Sequence, residues 1–232
     1  RFSTPARWTG KAFLEFEGVR QAGEVWVNGQ SVAVSESGAM AFGADITKAL
    51  NRGTNVIAVR VTNDWKYRER SSGSGFQWNN DNFNVNYGGI TKNAKLHLTP
   101  SIHQTLPLFA GLGTTGQYVW ADQFDLADKA ATIHTESEVR NDDAVRREVF
   151  YTVEARDRTG KTVGEFDGGC AVLVPGETRI RSRRPAEGSA FLELGLRLSL
   201  YGHDESDREW SCHRQRGHRD GFSTYPFPER HG

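Results

Sequence analysis

The sequence is poor in several features that would point to particular classes of protein. It has only two cysteines and one methionine among 232 residues, and no apolar run is long enough to cross a bilayer. Lysine and arginine together number 29, as do aspartate and glutamate, so the formal net charge at pH 7 is zero. A balanced charge argues against nucleic acid or a membrane surface as a partner, and we expect neither.

The scarcity of cysteine also bears on metals. Cys170 and Cys212 are spaced unlike any metal knuckle and no histidine cluster supports them, so we expect no metal and no cofactor. A disulfide between the two remains an alternative. The chain begins at Arg1 without an initiator methionine. We expect this start to be a cut, and its lack of a signal peptide says nothing about secretion.

What the sequence does contain is the alternation of apolar and polar residues that is typical of β-strands. Val25 and Val27 flank Trp26, and Asn28-Gly29 is a dipeptide that tight hairpin turns prefer. Strands are predicted at residues 12–17, 24–28, 55–61, 95–99, 118–120, 132–139, 149–155, 162–166 and 171–174. Turn signals at 141–143, 157–160 and 175–177 give the later strands the spacing of an immunoglobulin-like sandwich. The sequence therefore predicts an all-β chain.

Several long segments occur in an order that carries more information than any single motif. They cover residues 13–23, 23–30, 42–47, 53–61, 63–69 and 76–90. Together they resemble the β-galactosidase-type branch of glycoside hydrolase family 2, which contains the β-galactosidases and β-glucuronidases. The resemblance runs from about Arg1 to about Ile180. It implies a galactose-binding-like, jelly-roll β-sandwich over residues 1–100 and an immunoglobulin-like β-sandwich over residues 101–180.

Residues 181–232 differ in composition from the rest of the chain. One interpretation is a leucine-rich strand followed by a disordered tail. The other is translation out of frame from near Ile180, because codons chosen for Pro185 to Tyr201 and read one nucleotide later encode Phe-Trp-Ser-Trp-Gly-Tyr-Gly-Tyr-Leu-Tyr, which resembles the family. We predict that residues 181–232 form an aberrant, frameshifted and poorly ordered tail.

The resemblance has a consequence for catalysis. Retaining glycosidases need two carboxyl groups about 5 Å apart on a rigid scaffold, and in the family both belong to a (β/α)₈ barrel that follows the two sandwiches. No stretch of this sequence shows the alternation of strands and helices that such a barrel requires. We therefore predict no catalytic residues here, and expect the missing catalytic barrel domain to be the chain's partner.

Recognition of a sugar is the chemistry that remains. Aromatic rings stack on sugar rings, while amides, carboxylates and arginine bind the hydroxyl groups. The connection from Asn63 to Thr91 has little periodicity and offers this mixture. Loops of this length inside a compact domain are usually either functional or disordered, and the many aromatic residues of this one disfavour simple disorder. The candidate residues for binding a β-galactoside-like carbohydrate are Asn63, Asp64, Trp65, Arg68, Trp78, Asn79 and Asn82.

A structural interpretation of the same residues competes with this one. Aromatic side chains would fill the sandwich, asparagines would satisfy irregular backbone, and Arg68 would pair with Asp64 or Glu69 to clamp the loop. His97 and His103 have no acidic partner at a telling spacing, and we interpret both as ordinary strand and linker residues.

Three functions thus stand beside one another. The chain is interpreted as the noncatalytic N-terminal portion of a family 2 glycoside hydrolase. The alternatives are a free-standing carbohydrate-binding module and a β-sandwich interaction or adhesion protein. Binding of galactosides by the isolated chain would favour the module, and a defined assembly would favour the interaction protein.

Overall fold

The structure is a computed structural model, and it describes part of the chain. The described residues are 1–5, 8–64, 66–75, 87–125, 127, 130–156, 161–176, 178–180, 186–189, 195–203 and 222–224. The chain divides into two compact units. The first unit consists of Arg1–Pro100 with Leu108–Thr114, and the second of Ser101–Pro107 with Thr115–Gly232.

The described part of the first unit contains ten strands and two short helical turns. The strands are β1 Phe2–Ser3, β2 Lys11–Phe16, β3 Val19–Arg20, β4 Ala22–Val27, β5 Gln30–Ser35, β6 Phe42–Asp45, β7 Thr54–Asn55, β8 Ile57–Thr62, β9 Gly89–Ile90 and β10 Ala94–Thr99. A 3₁₀ turn lies at Thr47–Ala49, and a short helical segment, α1, at Phe109–Leu112 is kinked at Ala110 and Gly111, whose dihedral angles are not helical. The two main sheets have the strand orders β10-β2-β6 and β5-β4-β8, and all their pairs are antiparallel.

One hydrophobic core joins the two main sheets of the first unit. Leu14 and Phe16 of β2 share it with Val25 and Val27 of β4. The ring of Phe16 stacks on that of Phe42 with 5.2 Å between centroids. Burying side chains of this kind stabilises the fold by about 1.5–3 kcal/mol each. Because strand residues alternate between faces, Glu24 and Trp26 of β4 lie on the face opposite Val25 and Val27.

The described part of the second unit contains nine strands. They are β11 Ile102–Gln104, β12 Gln117–Asp125, β13 Ala130–Asn141, β14 Arg147–Arg156, β15 Thr162–Leu173, β16 Thr178–Ile180, β17 Ala186–Ser189, β18 Gly195–His203 and β19 Phe222–Thr224. One sheet has β13 paired with β11, β12, β16 and β17, and the other has the order β15-β14-β18-β19. Val139 of the first sheet and Val149 and Leu173 of the second form a buried hydrophobic cluster of the second unit.

The prediction of an all-β chain, built from a jelly-roll sandwich and an immunoglobulin-like sandwich, is confirmed by this architecture. One detail is wrong: the strands predicted at 162–166 and 171–174 are a single strand, β15, which stays paired with β14 across a register shift. Gly169 lies at the shift with φ +98°, a conformation that glycine adopts without steric cost. Cys170 of this strand is disulfide-bonded.

The predicted division into residues 1–100, 101–180 and 181–232 stays a prediction, as does the change of reading frame. Three strands of the structure, β17, β18 and β19, lie within residues 181–232. The longest of them, β18, pairs with β14 from Gly195 to His203 and with β19 on its other side.

Candidate functional site

The outer face of sheet β5-β4-β8 provides the floor of the candidate site. Glu24 of β4 lies directly opposite Arg60 of β8 in the antiparallel register. Arg60 Nη2 lies 2.5 Å from Glu24 Oε2, and its guanidinium carbon is 5.7 Å from the ring centroid of Trp26. The Glu24 side chain is only 11% exposed. The sheet thus holds a nearly buried carboxylate in a fixed position.

The segment 64–75 follows β8 and is closed by its own hydrogen bonds. Asp64 Oδ1 accepts a hydrogen bond of 2.9 Å from the Lys66 N–H, which is a turn motif that aspartate favours. The Glu69 N–H donates to the Ser74 carbonyl over 2.9 Å, and the Gly73 N–H donates to the Glu69 carbonyl over 2.8 Å. The described residues of this segment, 64 and 66–75, therefore form a compact turn.

Two carboxylates, Glu24 of β4 and Glu36 just after β5, bind residues of this segment. We call the group of four residues that make these contacts the loop clamp: Glu24, Glu36, Tyr67 and Arg70. Arg70 forms an ion pair with Glu24 Oε1. The Tyr67 hydroxyl donates to Glu36 Oε1 over 2.5 Å, and the Arg70 N–H donates to the same oxygen over 2.9 Å. Burial first, and then the hydrogen bond to and charge of Glu36, raise the pKa of Tyr67 to about 12. Tyr67 therefore remains a hydrogen-bond donor at neutral pH.

Three of the seven predicted sugar-binding residues belong to the described structure. Asn63 packs on the backbone at the far end of the connection, where a methyl group placed on Gly88 would come within 2.5 Å of Asn63 Cγ. Asp64 is exposed and forms the turn at Lys66. Arg68 is exposed and pairs through its backbone with Gly75. Trp65, Trp78, Asn79 and Asn82 lie outside the described residues.

The structural interpretation, in which Arg68 pairs with Asp64 or Glu69 to clamp the loop, names the wrong arginine. Within the described ranges no ion pair joins Arg68 to Asp64 or Glu69. Glu69 instead accepts a hydrogen bond of 2.8 Å from the Ser72 hydroxyl, and the clamping arginine is Arg70. Sequence reasoning missed the loop clamp because Glu24 and Glu36 are far from Arg70 in sequence, and only the strand register brings them together.

An exposed aromatic ring lies at the other end of the connection. Tyr87 is 54% exposed, and the Arg20 guanidinium lies 4.6 Å from its ring centroid. Arg20 is held by the pairing of β3 with β9, in which it lies opposite Gly89. The cation braces Tyr87. A braced, exposed aromatic ring is suited to stacking on a sugar, and sequence reasoning did not include Tyr87 among the candidates.

A helix with the length and apolar character needed to span a membrane is absent from the described part of the chain. Likewise, no group of three or more histidine, cysteine, aspartate or glutamate side chains in these ranges has an arrangement that would hold a metal ion.

Known proteins are similar to this chain in both sequence and fold. Residues 1–100 match the family model described as the sugar binding domain of glycosyl hydrolases family 2. A β-glucuronidase of Formosa agariphila is 34% identical over 165 residues, which is 70% of this chain and 16% of that protein. A β-galactosidase of Bacteroides ovatus is 30% identical over 166 residues, or 71% of this chain and 17% of that protein.

Solved structures agree. A family 2 β-glucuronidase superposes with a TM-score of 0.74 at 28% identity, covering 88% of this chain and 22% of that one. A Bacteroides uniformis β-glucuronidase superposes with a TM-score of 0.65 at 18% identity, covering 86% of this chain and 23% of that one. The second likeness concerns the fold alone.

The two sandwiches define a modular all-β protein of the kind that forms part of the family 2 glycosidases cited above. The chain spans about a sixth of the length of the curated relatives cited above. It belongs to glycoside hydrolase family 2 and corresponds to the N-terminal portion of a member of that family.

Proposed function

We propose that this chain is a noncatalytic portion of a β-galactosidase-like or β-glucuronidase-like enzyme. It provides a scaffold, and contacts to a carbohydrate, for a catalytic barrel domain that the chain itself does not include. The observation that supports this most directly is the match of residues 1–100 to the sugar binding domain of the family. The small share of each relative that the chain covers, 16% and 22% in the examples above, is consistent with it.

The carbohydrate contacts are proposed for the connection between β8 and β9. Arg68 and Tyr87 are exposed in the described parts of this connection. An arginine that binds hydroxyl groups and an aromatic ring that stacks on the sugar are complementary contributions to one site. Trp65, Trp78, Asn79 and Asn82 are proposed to complete it, together with Asn63 and Asp64.

Hydrolysis assays test the noncatalytic assignment. The purified chain is incubated with chromogenic β-galactoside and β-glucuronide, with an intact family 2 enzyme as the positive control. We expect no release of the chromophore above the rate of the heat-treated sample. Turnover by the chain alone would overturn the proposal.

Binding measurements separate the alternatives. Saturation-transfer NMR with millimolar methyl β-galactoside and methyl β-glucuronide is expected to detect weak contacts, while tryptophan fluorescence shows no saturation at micromolar saccharide. Saturable micromolar binding would instead identify a free-standing module. A discrete oligomer in light scattering, without a saccharide signal, would identify an interaction protein.

A further inference from the structure

The loop clamp is asymmetric in a way that suggests what it is for. Glu24 is bound on one oxygen by Arg60, which β8 places opposite it, and on the other by Arg70 of the segment 64–75. The first contact lies within the sheet, between two paired strands. The second joins the sheet to the segment. The sheet therefore offers a nearly buried carboxylate, also paired with Arg60, to which the segment adds one cation.

A second carboxylate fixes the direction of the segment. Glu36 follows β5 and receives both the Tyr67 hydroxyl and the Arg70 N–H on one oxygen. Tyr67 and Arg70 lie on either side of Arg68 in sequence. With both held, the backbone of Arg68 has little freedom, and its pairing with Gly75 closes the segment behind it.

We infer that Glu24 and Glu36 are positioning residues for carbohydrate binding: by holding Tyr67 and Arg70 they present Arg68 to the sugar. The inference rests on the proposed function. Neither carboxylate touches the sugar, since Glu24 is nearly buried and both are engaged by the segment. Because the two carboxylates already order the segment in the free protein, less conformational entropy is lost when the sugar binds.

The variants that test this act on one side of the clamp at a time. Arg70→Gln removes the one cation of the segment that contacts Glu24 but leaves Glu24 paired with Arg60, so the sheet keeps its own ion pair. Arg70→Lys keeps a cation and is expected to restore part of the effect. Glu36→Gln weakens the second anchor. Glu69→Gln is the matched control, because Glu69 bonds to Ser72 within the segment and not to the sheet.

Two readouts are taken on the full chain. The first is trypsin cleavage after Lys66 and Arg68, followed by mass spectrometry. The second is the saturation-transfer signal from methyl β-galactoside and methyl β-glucuronide at fixed concentration. For Arg70→Gln and Glu36→Gln we expect cleavage about tenfold faster through local opening, a saccharide signal reduced to a small fraction, and an unchanged far-ultraviolet circular dichroism spectrum. Arg70→Lys should be intermediate, and Glu69→Gln should match the parent chain.

The outcomes are distinguishable. Equal saccharide signals from the parent chain and from Arg70→Gln and Glu36→Gln would overturn the inference and leave the proposed carbohydrate contact standing. A parent chain without any saccharide signal would overturn both. Faster cleavage with an unaltered saccharide signal would show that the clamp orders the segment without serving the sugar, which also overturns the inference.

Discussion

The Asn28 side chain donates a hydrogen bond from Nδ2 to Oδ1 of Asn55 over 2.7 Å, which ties the turn between β4 and β5 to the end of strand β7. Asn55 is fully buried. Its Oδ1 also accepts from the Asn51 N–H over 2.8 Å, and its Nδ2 donates to the carbonyls of Asn51 and Gly53. Every polar atom of this buried amide is therefore satisfied, as stability requires.

This relationship predicts an order of stabilities that turn preference alone would reverse. Asn28 and Gly29 have φ of +51° and +84°, so Asn28→Gly keeps the backbone comfortable but loses the bonds to Asn55, Ala49 and Val56. We expect Asn28→Gly to cost about 2–4 kcal/mol, because buried partners are left unsatisfied. Gly29→Ala meets nothing within 4 Å and should cost about 1 kcal/mol through its positive φ. Urea denaturation of both variants measures the order, and a larger cost for Gly29→Ala would contradict it.

Glu138 should make the second unit sensitive to acid. Burial raises the pKa of Glu138, but hydrogen bonds from the Thr115 N–H and hydroxyl, the Thr105 hydroxyl and the Gly116 N–H outweigh this and lower it overall. A lowered folded pKa means that the stabilisation is complete above the ordinary glutamate pKa of about 4.3 and is lost as the pH falls through the folded value.

Glu138→Gln therefore tests the acid limb of the stability profile. At neutral pH we expect a loss of about 1–3 kcal/mol, because all four donors contact the one oxygen Oε2 and a neutral amide oxygen accepts weaker hydrogen bonds than a carboxylate. Carboxyl groups ordinarily titrate between about pH 5 and about pH 3. Over this range the free energy of unfolding should fall less for the variant than for the parent. Parallel curves of denaturation midpoint against pH for the two proteins would contradict this prediction.

Tyr67 should act at the alkaline end. Its folded pKa of about 12 exceeds the ordinary value of 10.0, so the stabilisation is present below the ordinary value and is lost as the pH rises through the folded one. Phenolate absorbance should show Tyr67 titrating late, and Tyr67→Phe should remove one late-titrating group. Tyr151, whose pKa burial also raises to about 12, remains as an internal reference. An unchanged number of late-titrating groups in Tyr67→Phe would refute the assignment.

Helix α1 should depend on a glycine and tolerate loss of an aromatic residue. A methyl group on Gly111 would lie 2.1 Å from the Gly43 carbonyl oxygen, and its φ is +90°. Gly111→Ala forces one backbone away from the other, and we expect it to cost roughly 2 kcal/mol or more. Phe109 is 75% exposed, so Phe109→Ser should change stability by less than about 0.5 kcal/mol. Thermal melts of the two variants compare them, and equal shifts would disprove the contact.

Local patterns carried much of the fold. Alternation around Val25 and Val27 and the turn at Asn28-Gly29 were sufficient to place β4 and its hairpin, because the physics of a strand and a tight turn acts over a few residues. The long strand β15 was split in the prediction because Gly168-Gly169 interrupts its pattern. Nothing local shows that pairing with β14 continues past a bulge.

Contacts set by strand register were out of reach of the sequence. The sequence shows no acidic partner for His97 at a telling spacing, and His97 does lie in a strand, but its Nε2 is 2.6 Å from Glu15 Oε2, 82 positions away. The pairing of β10 with β2 places Glu15 opposite Lys95 and hence diagonally beside His97. The loop clamp escaped prediction for the same reason. Residue types alone identified the connection but not which of its cations the sheet would hold.

The two strands β2 and β10 are synthesised at different times, although they pair in the folded protein. Thr99 bonds to the Lys11 carbonyl, 88 positions earlier in the chain, so the edge of β2 that pairs with β10 leaves the ribosome long before its partner exists, although β6 can already pair with the other edge. Pairing between such distant segments slows folding, and the unpaired edge is meanwhile exposed to other nascent chains. We expect this delay to make the nascent polypeptide a chaperone client. Slower elongation would lengthen the time for which the strand edge is exposed and would not favour folding.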